Sequence, residues 1–270
     1  MKFKPVLSIV ALACSLAVLC SPVRAQENWA RFRGDNGTGV SESKGIPTTF
    51  SPGDFRWNIE LPGLGHGSPI VWGNKLFVTS ATEAENLEGG TQRFLFCFNA
   101  ETGEQIWSTL VGFNSSHKHK KNSFASSTPT TDGHQVYVAF ADEQTLTLSA
   151  YSMDGELNWR RGLGPFTSQH GLGVSPIVFD EMVILAKDMM GPSSIMAFDT
   201  KTGETIWSTL RKIRETSYAT PMILNRPGQE PQLICVSGAS GVSGLNPYTG
   251  ATIWQTGEFP MRTVASPIYG

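Results

Sequence analysis

The sequence predicts an all-β fold, a β-propeller built from four-stranded blades. Three observations carry that expectation. The decapeptides ETGEQIWSTL (Glu101–Leu110) and KTGETIWSTL (Lys201–Leu210) agree at eight of ten positions. Tryptophan recurs at 107, 159, 207 and 254, with gaps of 52, 48 and 47, and Trp57 stands 50 residues before the first of these. Prolines 69, 129, 176, 221 and 267 keep the same phase. A repeat of this length marks units that stack or radiate, each too small to bury its apolar face alone.

Each unit reads as four strands in order. The first begins at the proline. Turn residues such as Gly73-Asn74 or Asp132-Gly133 follow, and then a hydrophobic strand, as in Leu76–Thr79 or Val136–Phe140. The third strand carries a step from a small residue to an aromatic one: Cys97-Phe98, Ala150-Tyr151, Ala197-Phe198. A tight turn closes it at Gly103, Gly155, Gly203 or Gly250, and the fourth strand holds the tryptophan four residues later (Trp107, Trp159, Trp207, Trp254). A large aromatic at one fixed place per blade suits the wedge between neighbouring sheets. No segment has a clear amphipathic helix period.

The ends of the pattern are incomplete. Phe55–Leu61, around Trp57, reads as a lone fourth strand, and Ala265–Gly270 as a lone first strand. Residues 55–270 are therefore expected to be part of a seven- or eight-bladed ring, with Trp57 on the outer strand of the closing blade. Residues 26–54 read as an N-terminal extension. Residues 1–25 read as a signal peptide: Lys2 and Lys4, an apolar run from Pro5 to Cys20, and small residues up to Ala25. Export to the periplasm or cell exterior is the expectation, with no transmembrane segment in the mature chain. Three of the 21 lysines and arginines lie in that leader, leaving 18 against 23 acids, so the mature chain is mildly acidic and unsuited to nucleic acid. Its two cysteines, Cys97 and Cys235, sit in apolar runs as buried thiols, a disulfide remaining open in an exported protein.

The segments FNAETGEQIW, YSMDGELNW, FDTKTGETIW and LNPYTGATIW resemble the tryptophan-docking motif of PQQ-like repeats. That family includes quinoprotein dehydrogenases and the non-catalytic barrel-assembly lipoprotein of bacterial outer membranes. NWARFRGDNGTGVS (Asn28–Ser41) is similar to the start of exported proteins of planctomycete-type bacteria. The resemblance covers Phe55–Gly270 and implies two functional readings. One is an exported non-catalytic propeller that binds protein, peptide or polysaccharide in the cell envelope, without a cofactor. The other is a PQQ-dependent dehydrogenase of alcohols or sugars, with PQQ held over calcium. The family's adjacent cysteine pair is absent, and no residue can be matched to its catalytic motif.

Periodicity nominates a different set. His66, Asn122, His170, Tyr218 and Arg262 lie a few residues before successive prolines, where each unit enters the ring near its axis. Packing does not demand such groups, so they are candidates to face a ligand at the channel mouth. Asp188 is the one carboxylate nominated for a metal, set against a solvated turn position. HKHKKNS (His117–Ser123) and the acidic Ala81–Gly90 read as solvated loops. No nucleophile–base pair suggests a hydrolase.

Overall fold

A computed structural model of the chain describes residues 28–82, 91–142, 144–212 and 214–269 apart from 114–117. Residues 1–25, read from the sequence as a signal peptide, and most of the acidic loop lie outside the described residues. Sixteen strands are named among those described. Blade 1 holds β1 (Ile70–Trp72), β2 (Lys75–Ala81), β3 (Thr91–Asn99) and β4 (Gln105–Phe113). Blade 2 holds β5 (Thr130–Thr131), β6 (Gln135–Ala141), β7 (Leu146–Ser152) and β8 (Leu157–Gly162). Blade 3 holds β9 (Ile177–Phe179), β10 (Met182–Lys187), β11 (Ser193–Asp199) and β12 (Thr205–Arg211). Blade 4 holds β13 (Met222–Leu224), β14 (Gln232–Ser237), β15 (Gly241–Leu245) and β16 (Thr252–Gln255). Every sheet is antiparallel in sequence order. Each first strand starts at the residue after its proline, which cannot donate to a ladder and so marks the strand's edge.

Burial follows position in the blade. Strands β6 and β10 are buried along their whole length, sandwiched between the sheets on either side. On the outer strands β8 and β12 the tryptophan is the buried position. A small residue faces each tryptophan: Cys97, Ala150 and Ala197, the small members of the three small–aromatic steps, and Gly244 in blade 4 sit directly opposite Trp107, Trp159, Trp207 and Trp254. The pairing slips by one residue immediately after each of these pairs, a bulge that turns the strand into its closing glycine turn.

Each tryptophan reaches forward to the next blade. The rings of Trp57, Trp107, Trp159 and Trp207 lie against Gly103, Gly155, Gly203 and Gly250. Their indole N–H groups donate to the carbonyls of Ala100 (3.1 Å), Met153 (3.0 Å), Thr200 (2.8 Å) and Pro247 (2.9 Å). At Gly203 the backbone is left-handed (φ 68°) and a Cβ would stand 2.6 Å from the Trp159 ring, so both conformation and space require glycine. Trp254 has no following blade among the described residues. It is 38 % exposed and bonds Gln232 within its own sheet.

A second set of contacts joins the blades near the axis, at the Ser or Thr before each proline. The amide of Ser68 donates to Thr128 Oγ1 (2.9 Å), that of Thr128 to Ser175 Oγ (3.0 Å), that of Ser175 to Thr220 Oγ1 (3.0 Å) and that of Thr220 to Ser266 Oγ (2.9 Å). The repeated Ser/Thr-Pro pairs were the sequence signal for this ladder.

At the two ends of the pattern, Phe55–Leu61 and residues 265–269 pair with no described segment. The Trp57 contact needs only Gly103 and the Ala100 carbonyl, and the Ser266 hydroxyl accepts from the Thr220 amide. Both cysteines are free and buried, in different blades, and burial pushes the Cys97 thiol up to about 11 and the Cys235 thiol up to about 12. Among the described residues no helix is long and apolar enough to cross a membrane.

Candidate functional site at the end of the axis

The loops that lead into β1, β5, β9 and β13, together with the segment that follows β16, bring His66, Asn122, His170, Tyr218 and Arg262 to one cavity of about 450 Å³. These five are separated by 196 residues of chain (66 to 262), and the repeat alone brings them together.

His170 is at the centre. Arg262 Nη1 meets its Nε2. A guanidinium only donates, so Nε2 accepts and the ring proton sits on Nδ1. The ring has His119 edge-on at 4.9 Å and Tyr218 at 5.9 Å. Tyr218 is held by its hydroxyl, 3.1 Å from Ser168 Oγ, and by its amide, which donates to Thr263 O. Gly173 clears space for the phenol ring, since a Cβ there would stand 3.2 Å from Tyr218 Cδ1. Asn122 has a positioning role: its Nδ2 donates to His170 O (2.6 Å) and Leu172 O (3.4 Å), and its Oδ1 accepts from Ser126. It ties the blade 2 loop to the blade 3 loop. His66 is exposed, and its amide is anchored on Ala125 O (3.0 Å).

Three basic lining residues escaped the sequence reading. Residues 118–123 had the look of a solvated loop, yet His119 and Lys121 line the cavity, with His119 Nδ1 accepting from the Lys121 amide at 3.2 Å. Arg33 comes from the N-terminal extension. The alternation in HKHKKNS was a usable signal, because one side of that loop turns inward. Nothing in the period pointed to Arg33, which lies before the first unit.

The electrostatics have one sign. Arg33, Lys121 and Arg262 are cationic, and no lining side chain of this cavity is a carboxylate. Outside the lining, Glu215 lies 3.9 Å from Arg262 Nε and offsets part of its charge. Cations converging on a concavity attract anions from a distance and hold them on contact.

Asp188 is not part of this site. It is buried beside β12, with Oδ1 3.1 Å from Arg211 Nε, and both side chains are under a tenth exposed. The solvated-turn reading is therefore replaced by a buried ion pair. Burial lifts the Asp188 carboxyl to about 6 and Arg211 opposes the shift. Among the described residues no three His, Cys, Asp or Glu side chains group to hold a metal ion.

The comparisons with known proteins bear on this arrangement. The family model of PQQ-like repeats described as "Outer membrane protein assembly factor BamB" matches residues 91–268. The chain belongs to that family. PQQ-like propellers among solved structures superpose on it. The europium-containing methanol dehydrogenase does so with TM-score 0.60 and 12 % identity over 86 % of this chain and 49 % of that one. BamB from Moraxella catarrhalis gives 0.52 and 19 % over 76 % and 55 %. The tetrathionate hydrolase of Acidithiobacillus ferrooxidans is 32 % identical over 230 residues, 80 % of this chain and 40 % of that protein. This chain thus spans between two fifths and about half of these relatives. They include catalysts and an assembly factor, so membership of the family does not by itself choose between the two.

Proposed function

We propose that the protein is an exported PQQ-like propeller of the enzymatic branch, and that its axial cavity binds a small, multiply charged anion. The carrying observation is the convergence of Arg33, Lys121 and Arg262 on a cavity with no lining carboxylate. Support comes also from the similarity to the tetrathionate hydrolase, named for a substrate that is a dianion. We read the four sheets as an arc of a seven- or eight-bladed ring.

Two anions share the required chemistry. One is a sulfur oxyanion such as tetrathionate, as substrate. The other is the quinone PQQ, a tricarboxylate, as cofactor. The guanidinium groups of Arg33 and Arg262 suit its carboxylates; when bound it would supply a two-electron acceptor. Its calcium fits poorly, because calcium takes six to eight oxygen ligands, mostly carboxylate and carbonyl, and these blades bring no carboxylate to the cavity. A protein-, peptide- or polysaccharide-binding scaffold draws its support from the family description and the BamB fold. Neither explains a cationic cavity of small-molecule size.

Calorimetric titration of the exported chain separates these readings. Tetrathionate and PQQ are titrated separately, the latter with and without calcium. Stoichiometric binding of either anion, weakened by added salt, is expected; tetrathionate assigns a substrate site, and PQQ a cofactor site. If a cooperatively folded sample takes neither, the anion reading is wrong and a scaffold is the better account.

A further inference from the structure

The N-terminal segment does more than lead into the first blade. Trp29 pairs with Val71 in β1 through both amides, at 2.8 and 2.9 Å. Ala30 O accepts from the amide of Thr131 in β5 at 2.9 Å and from Thr130 Oγ1 at 3.1 Å. Arg31 Nη2 donates to Pro221 O at 2.6 Å. Asn36 clasps Ile223 in β13, accepting from its amide at 3.1 Å and donating to its carbonyl. One stretch of nine residues, 28–36, therefore bonds the innermost strands of blades 1, 2 and 4.

The segment also turns on itself inside the axis. The Gly34 amide returns to Arg31 O and the Gly39 amide to Arg33 O, while Arg33, Gly34 and Asn36 all have positive φ. Gly34 lies against the Trp29 ring, where a Cβ would stand 2.4 Å away. The turn divides the segment between two cavities. Ala30, Arg31 and Asn36 border one of about 610 Å³ with Trp72 and Phe179, at the far ends of the inner strands. Phe32 and Arg33 border the other, with His170 and Arg262.

We propose that residues 28–39 are a built-in plug that closes the axis from one end, and that Arg33 at its tip is an anion-binding residue of the cavity. The ligand site is then a blind pocket with its floor supplied by the N-terminal segment, and ligand enters from the face that carries His66. A left-handed residue other than glycine, asparagine or aspartate is uncommon, and here the surrounding bonds hold it with its side chain toward the cationic cavity. The role of Arg33 rests on the anion reading above; the plug does not.

The experiment has two readouts on the exported chain. In the first, tetrathionate and PQQ are titrated into the wild type, Arg33→Gln and Arg262→Gln. Both variants should lose about tenfold in affinity, the worth of one charge-assisted hydrogen bond, at unchanged melting temperature. Wild-type affinity in Arg33→Gln alongside loss in Arg262→Gln overturns the role of Arg33 while leaving the cavity reading intact. No binding by the wild type removes both. In the second, amide exchange at Val71, Thr131 and Ile223 is compared between wild type and Gly34→Val, with Ile184 in β10 as the internal control for folding. At least tenfold faster exchange at those three in the variant, at unchanged Ile184, supports the plug. Equal exchange at all four refutes it, whatever the titrations give.

Discussion

The joints between blades and the end of the axis are built on opposite principles. At the joints, four tryptophans meet four glycines with nearly the same contacts, and the chain repeats its wording to repeat the geometry. At the axis, the loops before successive prolines contribute different residues from places three to seven positions upstream: His66, Asn122, His170, Tyr218, Arg262. Sameness is what a packing surface requires, since every joint has the same shape to fill. Difference is what a ligand site requires, since each group must meet a different part of an asymmetric molecule. In a repeat protein, the positions where the copies disagree are the ones to search for chemistry.

Changes at the joints should therefore cost stability, and changes at the axis should cost binding. The largest effect belongs to Trp159→Ala. It removes a ring that is 8 % exposed and leaves the Thr200 carbonyl with Gln135 Nε2 as its remaining donor, so a loss of about 3–5 kcal/mol, mostly from lost packing, is expected in urea unfolding. A change under about 1 kcal/mol would mean that the joint is not a stability element. Breaking the buried pair with Asp188→Ala should cost about 3 kcal/mol, because Arg211 is left charged without its partner. Its conservative counterpart sharpens the point. The Asp188 carboxyl is raised in the folded state, so its contribution is fully present below the ordinary carboxylate range and is lost as pH rises through about 6. Thermal melts from pH 4 to 7 should show the wild type losing stability relative to Asp188→Asn over that window; parallel curves would contradict the assignment. The smallest effect is at Trp254, the tryptophan without a following blade. Trp254→Ala should change stability by less than about 1 kcal/mol in this chain, and a loss matching that of Trp159→Ala would break the comparison.

The legibility of the sequence divides along the same line. Strand order, the prolines at the inner edge and the tryptophan–glycine spacing were all readable, because repetition amplifies a weak local signal four times over. The small residues opposite each tryptophan were visible as a pattern, though their purpose emerged only from the register. The five axial candidates were legible as interruptions of the pattern. Asp188 was misread because a carboxylate beside a turn looks solvated until its partner, Arg211, 23 residues away, is brought beside it. Arg33 was beyond reach: its segment belongs to no repeat, and its partners lie across the axis. Residues 55–61 fell in phase with the fourth strands, and Trp57 makes the same contacts as the other tryptophans, with Gly103 and the Ala100 carbonyl.

The bond from Arg31 to Pro221 spans 190 residues, and that from Asn36 to Ile223 spans 187. Such distances set an order of events. A joint between adjacent blades closes over 40 to 46 residues and can form as soon as the second blade exists. Trp29 and Ala30 can pair as soon as blades 1 and 2 exist, but Arg31 and Asn36 have no partner until β13 has been made, so an early part of the chain is among the last to come fully to rest. Loop closure of that length slows folding more than it weakens the final structure. The same stretch that finishes the pocket thus also records that the blades around it have assembled.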